Sequence, residues 1–324
     1  MLYPLTFQPI FKERVWGGRE LERLYGKNLP PDRPIGESWE ISDRPGDVSV
    51  IANGPLAGKD LRWLMENHGA EVLGETRPTA AGQFPLLCKI LDARDKLSLQ
   101  VHPPAARAAE LGGEPKTEMW FIAQAAPGAE LYVGLKHGVT RPAFEQKIQS
   151  GDVAECFHRV PVRAGDAMFL PSGRVHAIGA GLVIFEIQQN SDTTYRVFDW
   201  NRPGLDGRPR ELHVAQSLAS IDFDDFEPTV VRGQFIGTDT VQKRALVMDP
   251  HFVVKLRKLN ASARGLLKPH RLQIVAVAGG RLEIRSGEMS LALSAGQFCL
   301  VPASLERTSV AAHPQAIWLH VEVK

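Results

Sequence analysis

Apolar and polar residues along this chain mostly alternate with a period of two or run in short apolar blocks. FPLLCKILDA, KLSLQVH, EMWFIAQA, AMFLPS, LVIFEIQQ, FVVKLRKL, QIVAVAGG and GQFCLVPA are of this kind, bounded by Gly and Pro. Such punctuation is the pattern of an all-β sandwich or barrel. Three stretches follow a helical period instead. Gly18–Tyr25 sets Leu21 and Leu24 at helical spacing and ends at Gly26. Lys59–Leu73 puts Leu61, Leu64, Met65 and Val72 on one side. Thr140–Ile148 opens on a capping threonine, with a proline near the first turn. The expectation is a mainly β protein with a few added helices.

A weak internal repeat refines this. Gly165–Pro171 (GDAMFLP) and Gly296–Pro302 (GQFCLVP) each hold a Gly, five residues, then a Pro. A motif this short also arises by chance. Its surroundings support a second copy, because Ala276–Ile284 (AVAGGRLEI) reads as strand, glycine turn, strand. The acidic, proline-broken stretch DFDDFEPTVVRG separates the copies. Two jelly rolls follow, one over residues 1–232 with helical insertions and one over residues 233–324. A length of 324 residues fits two domains of roughly 100–200 residues each.

Three polar constellations interrupt the apolar strands. In KLSLQVHP, Leu97, Leu99 and Val101 fall on one face and Ser98, Gln100 and His102 on the other. Any half-exposed strand alternates this way, so alone the pattern says little. In PKTEMWF, Lys116 and Glu118 share a face. A solvated ion pair on an edge strand would look the same. The third is G-x5-P-x-G-x2-H, from Gly165 to His176. Pro171 and Gly173 make a turn, and His176 starts the returning strand pointing inward. This string resembles the second motif of the cupin superfamily, with Ala180 where that motif usually ends in Asn. The C-terminal copy has Ser304 and Arg307 where Gly and His would stand, so the second jelly roll is expected to bind no metal. Gln100, His102, Glu118 and His176 together offer two imidazoles, a carboxylate and an amide, a donor set suited to Zn²⁺ or another borderline divalent ion.

Composition narrows the partners. Lys plus Arg number 38 against 37 for Asp plus Glu, a formal net charge of +1, which argues against nucleic-acid or membrane binding through bulk charge. Cys88, Cys156 and Cys299 are far apart and read as buried thiols in a reducing compartment. No apolar run approaches the roughly 18 residues that span a bilayer, and MLYPLTFQPIFKERVWGG does not read as a signal peptide. A cytoplasmic protein, monomeric or weakly dimeric, is expected.

With these residues in place, the chain resembles the class I mannose-6-phosphate isomerases in their short bacterial form. The matching strings are FPLLCKILDA, LSLQVHP, KTEMW, GRVHAIG and SDTTYRVFDW, in this order, and the likeness runs from VWGG at Val15 to about residue 220. The resemblance implies a zinc-dependent bicupin that interconverts mannose 6-phosphate and fructose 6-phosphate. It implies one Zn²⁺ per chain on Gln100, His102, Glu118 and His176, and an active-site arginine at Arg196. It implies phosphate binding at Lys89 and Ser98, with Lys116, Glu186 and Asp192 lining the pocket. Arg196 could equally sit in a salt bridge to Asp192 or Asp199. Glu186, Asp192, Lys116 and a metal-bound water all remain open as the catalytic base. A non-catalytic sugar-phosphate-binding cupin and a metal-dependent cupin oxygenase are the competing functions.

Overall fold

The alternating segments form antiparallel sheets. The computed structural model describes residues 2–260 and 263–324. In the first half, six strands run in the order Ile10–Gly18, Ile35–Ile41, Leu86–Ala93, Leu182–Gln189, Glu118–Ala125, Ala167–Leu170. A five-stranded sheet faces it: Tyr195–Phe198, Leu99–Val101, His176–Ile178, Glu130–Leu135, Phe157–Pro161. Leu91, Trp120, Met168 and Ile184 from one sheet and Leu131, Val133, Val160 and Ile178 from the other meet in one apolar cluster. This is a jelly-roll sandwich that does not close into a continuous barrel among the described residues.

The second half is one eight-stranded sheet built on two long strands, Gln273–Ser286 and Thr308–Val323. Their pairing slips on both sides of Gly279–Gly280, and such bulges bend a sheet. At Gly280 φ is +74°, and a Cβ there would lie 2.0 Å from the Gln315 carbonyl oxygen, so only glycine fits the bend. The bend lets Val275, Val277, Leu282 and Ile284 of one strand share a core with Trp318, Leu293 and Val310.

The repeated motif does the same work twice. The amide of Gly165 donates to the Ile122 carbonyl, and that of Gly296 to the Val277 carbonyl, each at 2.8 Å. The strand after each glycine then pairs with its neighbour and ends at the motif's proline. The protein is a bicupin, mainly β, with a few added helices.

The two halves pack through the outer faces of their sheets. Cys88, Ile90, Phe121 and Phe185 of the first meet Leu256, Ile274, Phe298 and Leu319 of the second in a continuous core. Phe185 and Phe298 stack with centroids 5.5 Å apart. Leu5 adds a clasp by exchanging both backbone hydrogen bonds with Leu300, at 2.9 and 2.8 Å.

The expected helices form with shifted ends. The first covers Glu20–Tyr25, because Gly17 and Gly18 complete a strand pressed against Ile35 and Gly36. The second covers Leu61–Leu73, capped by the Asp60 carboxylate, which accepts from the Trp63 amide at 2.7 Å. The third covers Arg141–Ser150, with Thr140 as its cap and Gly151 in a left-handed conformation after it. Short helices at Ala105–Ala108 and Val214–Ser220 carry too few turns for periodicity to reveal. Among the described residues, no helix is long and apolar enough to cross a membrane. All three cysteines are free and buried.

Candidate metal centre and substrate pocket

Strand register gathers the four expected ligands. Gln100 lies opposite His176 on one side and Arg196 on the other. Glu118 opens its strand between Leu170 and Gln188. The Pro171–Gly173 turn is tied to the next ligand, since the Gly173 amide donates to the His102 carbonyl at 2.9 Å. Gly173 has φ +92°, the left-handed conformation such a turn requires.

Each imidazole is held through one nitrogen. His102 gives Nδ1–H to the Thr193 carbonyl at 2.8 Å, and His176 gives Nδ1–H to the Arg174 carbonyl at 2.9 Å. Both Nε2 lone pairs therefore face inward, 3.6 and 3.5 Å from the two Glu118 oxygens. The ligand atoms of His102, Glu118 and His176 all lie within 4.8 Å of one another. Gln100 places its amide nitrogen 3.3 Å from His176 Nε2, with its other end beside the Ser98 hydroxyl at 3.3 Å. A hydroxyl serves either end of an amide, so a rotation of the Gln100 amide presents Oε1 to the same point.

The electrostatics suit a cation. Burial pushes His102 down to about 3, helped by the Lys116 ammonium, so it stays neutral. Burial lowers His176 as well. Burial alone would raise Glu118, but the Lys116 ammonium outweighs it and holds the carboxyl well below the usual range. Lys116 Nζ lies 2.7 Å from Glu118 Oε2, but neither Glu118 oxygen has a hydrogen-bond partner. A buried, ionised carboxylate oxygen with no donor, facing two neutral imidazole lone pairs, fits a divalent metal ion.

Above the cluster opens a cavity of about 550 Å³. Gln100 and Lys116 reach its surface, as do Ser98, Lys89, Glu186, Asp192 and Arg196, while His102, Glu118 and His176 lie beneath, each no more than 1% exposed. Lys89 sits 3.6 Å from Glu37 and 3.6 Å from Glu186. Glu186 accepts from Trp120 Nε1 at 3.0 Å through Oε2 and leaves Oε1 without a hydrogen bond. Burial first, then the Glu118 charge, raises Glu186 above the usual carboxylate range. Arg196 makes no salt bridge with the described residues. Asp199 is taken by Arg202 and Arg210, and Arg196 donates to the Glu211 carbonyl at 2.7 Å. Its Nε has no partner. Trp16 is both core and wall, 3% exposed yet lining the cavity.

Sequence reasoning missed one wall. Glu37 accepts from Arg14 Nε and Trp39 Nε1, each at 2.6 Å. Burial opposes its charge, but Lys89 and Arg14 bring it down to about 2. GESWEIS did carry a signal, because Glu37 and Trp39 are two apart and share a face.

The fold and this site define a cupin with a buried metal-type centre under a polar pocket lined by cations and carboxylates alike. Residues 5–118 match the family model for the phosphomannose isomerase type I catalytic domain. The chain is 36% identical to a mannose-6-phosphate isomerase of Streptococcus mutans, over 94% of each chain. It is 34% identical to the mannose-6-phosphate isomerase ManA of Bacillus subtilis, over 98% of this chain and 99% of that protein. A crystal structure of the mannose 6-phosphate isomerase from Bacillus subtilis superposes with a TM-score of 0.89, at 30% identity and full coverage of both chains. The chain belongs to the type I mannose-6-phosphate isomerases, a family of metal-dependent aldose–ketose isomerases.

Proposed function

We propose that the chain interconverts mannose 6-phosphate and fructose 6-phosphate, with one Zn²⁺ held by Gln100, His102, Glu118 and His176. The observation that carries this is the convergence of two Nε2 lone pairs and an unpartnered carboxylate oxygen beneath a polar cavity that Lys89, Lys116 and Arg196 help to line. Bound there, a divalent ion supplies Lewis-acid polarisation of the sugar carbonyl.

The reaction moves a proton between C1 and C2 through a cis-enediol. Glu186 is our choice for the proton carrier. It is buried, its Oε1 is free of hydrogen bonds, and its raised pKa brings it nearer the working pH. Arg196, a catalytic residue here, spends no charge on a neighbouring carboxylate and can stabilise the negative charge developing on the enediolate oxygens. Lys89 and Ser98 anchor the phosphate. Lys89 lies too far from Glu37 and Glu186 to hydrogen-bond either, so its donors remain available to an anion. Asp192 lines the pocket beside the sugar, and Lys116 holds Glu118 ionised.

We also propose a domain division at 232/233. Val231 still bridges to Ala167 of the first half, and the second sheet begins at Ile236. A cytoplasmic, monomeric or weakly dimeric enzyme, with no nucleic-acid or membrane partner, fits the balanced charge.

The test is a coupled assay of mannose 6-phosphate conversion alongside metal analysis of the purified protein. About one zinc per chain is expected. Chelation should abolish turnover and zinc should restore it, while His176→Ala should lose both metal and activity. Sugar-phosphate binding without turnover would point to the non-catalytic cupin instead.

A further inference from the structure

Five strands of the second jelly roll repeat the order of five in the first. Val241–Met248, Phe252–Leu259, Thr308–Val323, Gln273–Ser286 and Phe298–Val301 pair in the same order as Ile35–Ile41, Leu86–Ala93, Leu182–Gln189, Glu118–Ala125 and Ala167–Leu170. The glycine–proline motif sets the register. Leu170 faces Glu118, and Val301 faces Gln273. Glu118 pairs with Gln188, and Gln273 with Glu322. Glu186 pairs with Lys89, and His320 with Lys255. Lys255, His320 and Gln273 thus occupy the positions that Lys89, Glu186 and Glu118 hold in the catalytic half. Arg257 and Trp318 stand where Leu91 and Ile184 stand.

This end of the second core has kept its polarity. His320 Nε2 bonds Gln273 Oε1 at 2.8 Å, while Nδ1 has no partner, although the residue is only 2% exposed. Trp318 Nε1 is likewise buried without an acceptor. Lys255 and Lys268 both reach Glu322, at 2.6 and 2.7 Å. Arg257 makes no salt bridge with another described residue and feels Glu322 only at longer range. Three cations therefore surround one carboxylate. Burial keeps His320 neutral, so the bond to Gln273 leaves Nδ1 as an acceptor. The cluster opens to solvent through Lys268 and Lys255, whose side chains are 56% and 29% exposed.

We propose that this end of the second jelly roll binds a small phosphate monoester that also carries hydroxyl groups. Arg257, Lys255 and Lys268 meet the phosphate, as clustered guanidinium and ammonium donors do. Trp318 Nε1 donates to one ligand hydroxyl, and His320 Nδ1 accepts from another. The site lies apart from the catalytic pocket and stands whether or not the isomerase reading holds.

The probe is glycerol 3-phosphate, titrated calorimetrically into the intact protein, with inorganic phosphate in parallel. Two sites per chain are expected. Lys89→Met should remove one and spare the other. Arg257→Gln should weaken the other by about tenfold or more, as loss of a charged hydrogen bond does, and leave turnover unchanged. Lys268→Gln, at a largely exposed position, should weaken it in the same direction. A single site that Lys89→Met abolishes and neither other substitution alters would overturn the proposal. So would a second site that binds inorganic phosphate as tightly as the ester, since the hydroxyl contacts would then contribute nothing.

Discussion

His102 and His176 each give Nδ1–H to a backbone carbonyl, so their tautomers are set before any cation arrives. Glu186 shows the opposite design, a carboxylate raised by burial and by Glu118 and left with a bare oxygen. If it carries the proton, kcat/KM falls as pH drops through that raised value, because the protonated acid cannot accept a proton. Glu186→Gln should then lower kcat by roughly 10²–10⁴-fold and erase the acid limb of the profile. A limb that survives the substitution assigns the proton to another group. At this scale the sequence was informative where chemistry sat on a strand-period pattern or a turn motif, as with Gln100, His102 and His176. For Glu37 the strand-period signal was present but its role was not, since that depends on Arg14 and Lys89 approaching from separate strands. The sequence also passed over His320, because burial with one bare nitrogen is not visible in WLHVEV.

Among the elements, the first two strands cross most tightly. A Cβ on Gly17 would lie 2.4 Å from the Gly36 amide nitrogen, a backbone atom that cannot turn aside. Gly17→Ala should cost about 1–3 kcal/mol, read as a lowered melting temperature, and should raise KM by shifting Trp16 at the cavity wall. An unchanged melting temperature would mean that the strands part freely. Helix existence was legible from period and capping residues, and helix ends were not. Gly18 looked like a helix start because nothing local reveals that Ile35 and Gly36 lie against its strand.

On the scale of the molecule, two sheets meet outer face to outer face, with Phe298 stacked on Phe185. Phe298→Ala should cost about 3–5 kcal/mol. Wild type and variant should each unfold in one transition that coincides with loss of turnover, because neither half can shed the shared core alone. A separate early melting of residues 233–324 would contradict this. The two jelly rolls were legible from the repeat, but their packing was not. A strand apolar on both faces looks the same whichever partner covers it.

The Leu5–Leu300 clasp has a consequence for how the chain comes into being. Synthesis delivers Leu5 long before Leu300. On the ribosome the catalytic half can pair its own strands, but the far side of its sheet stays bare and its leading segment unfastened. The strands of the second half close both once they emerge. For this enzyme, the catalytic half is finished only by the half that is made after it.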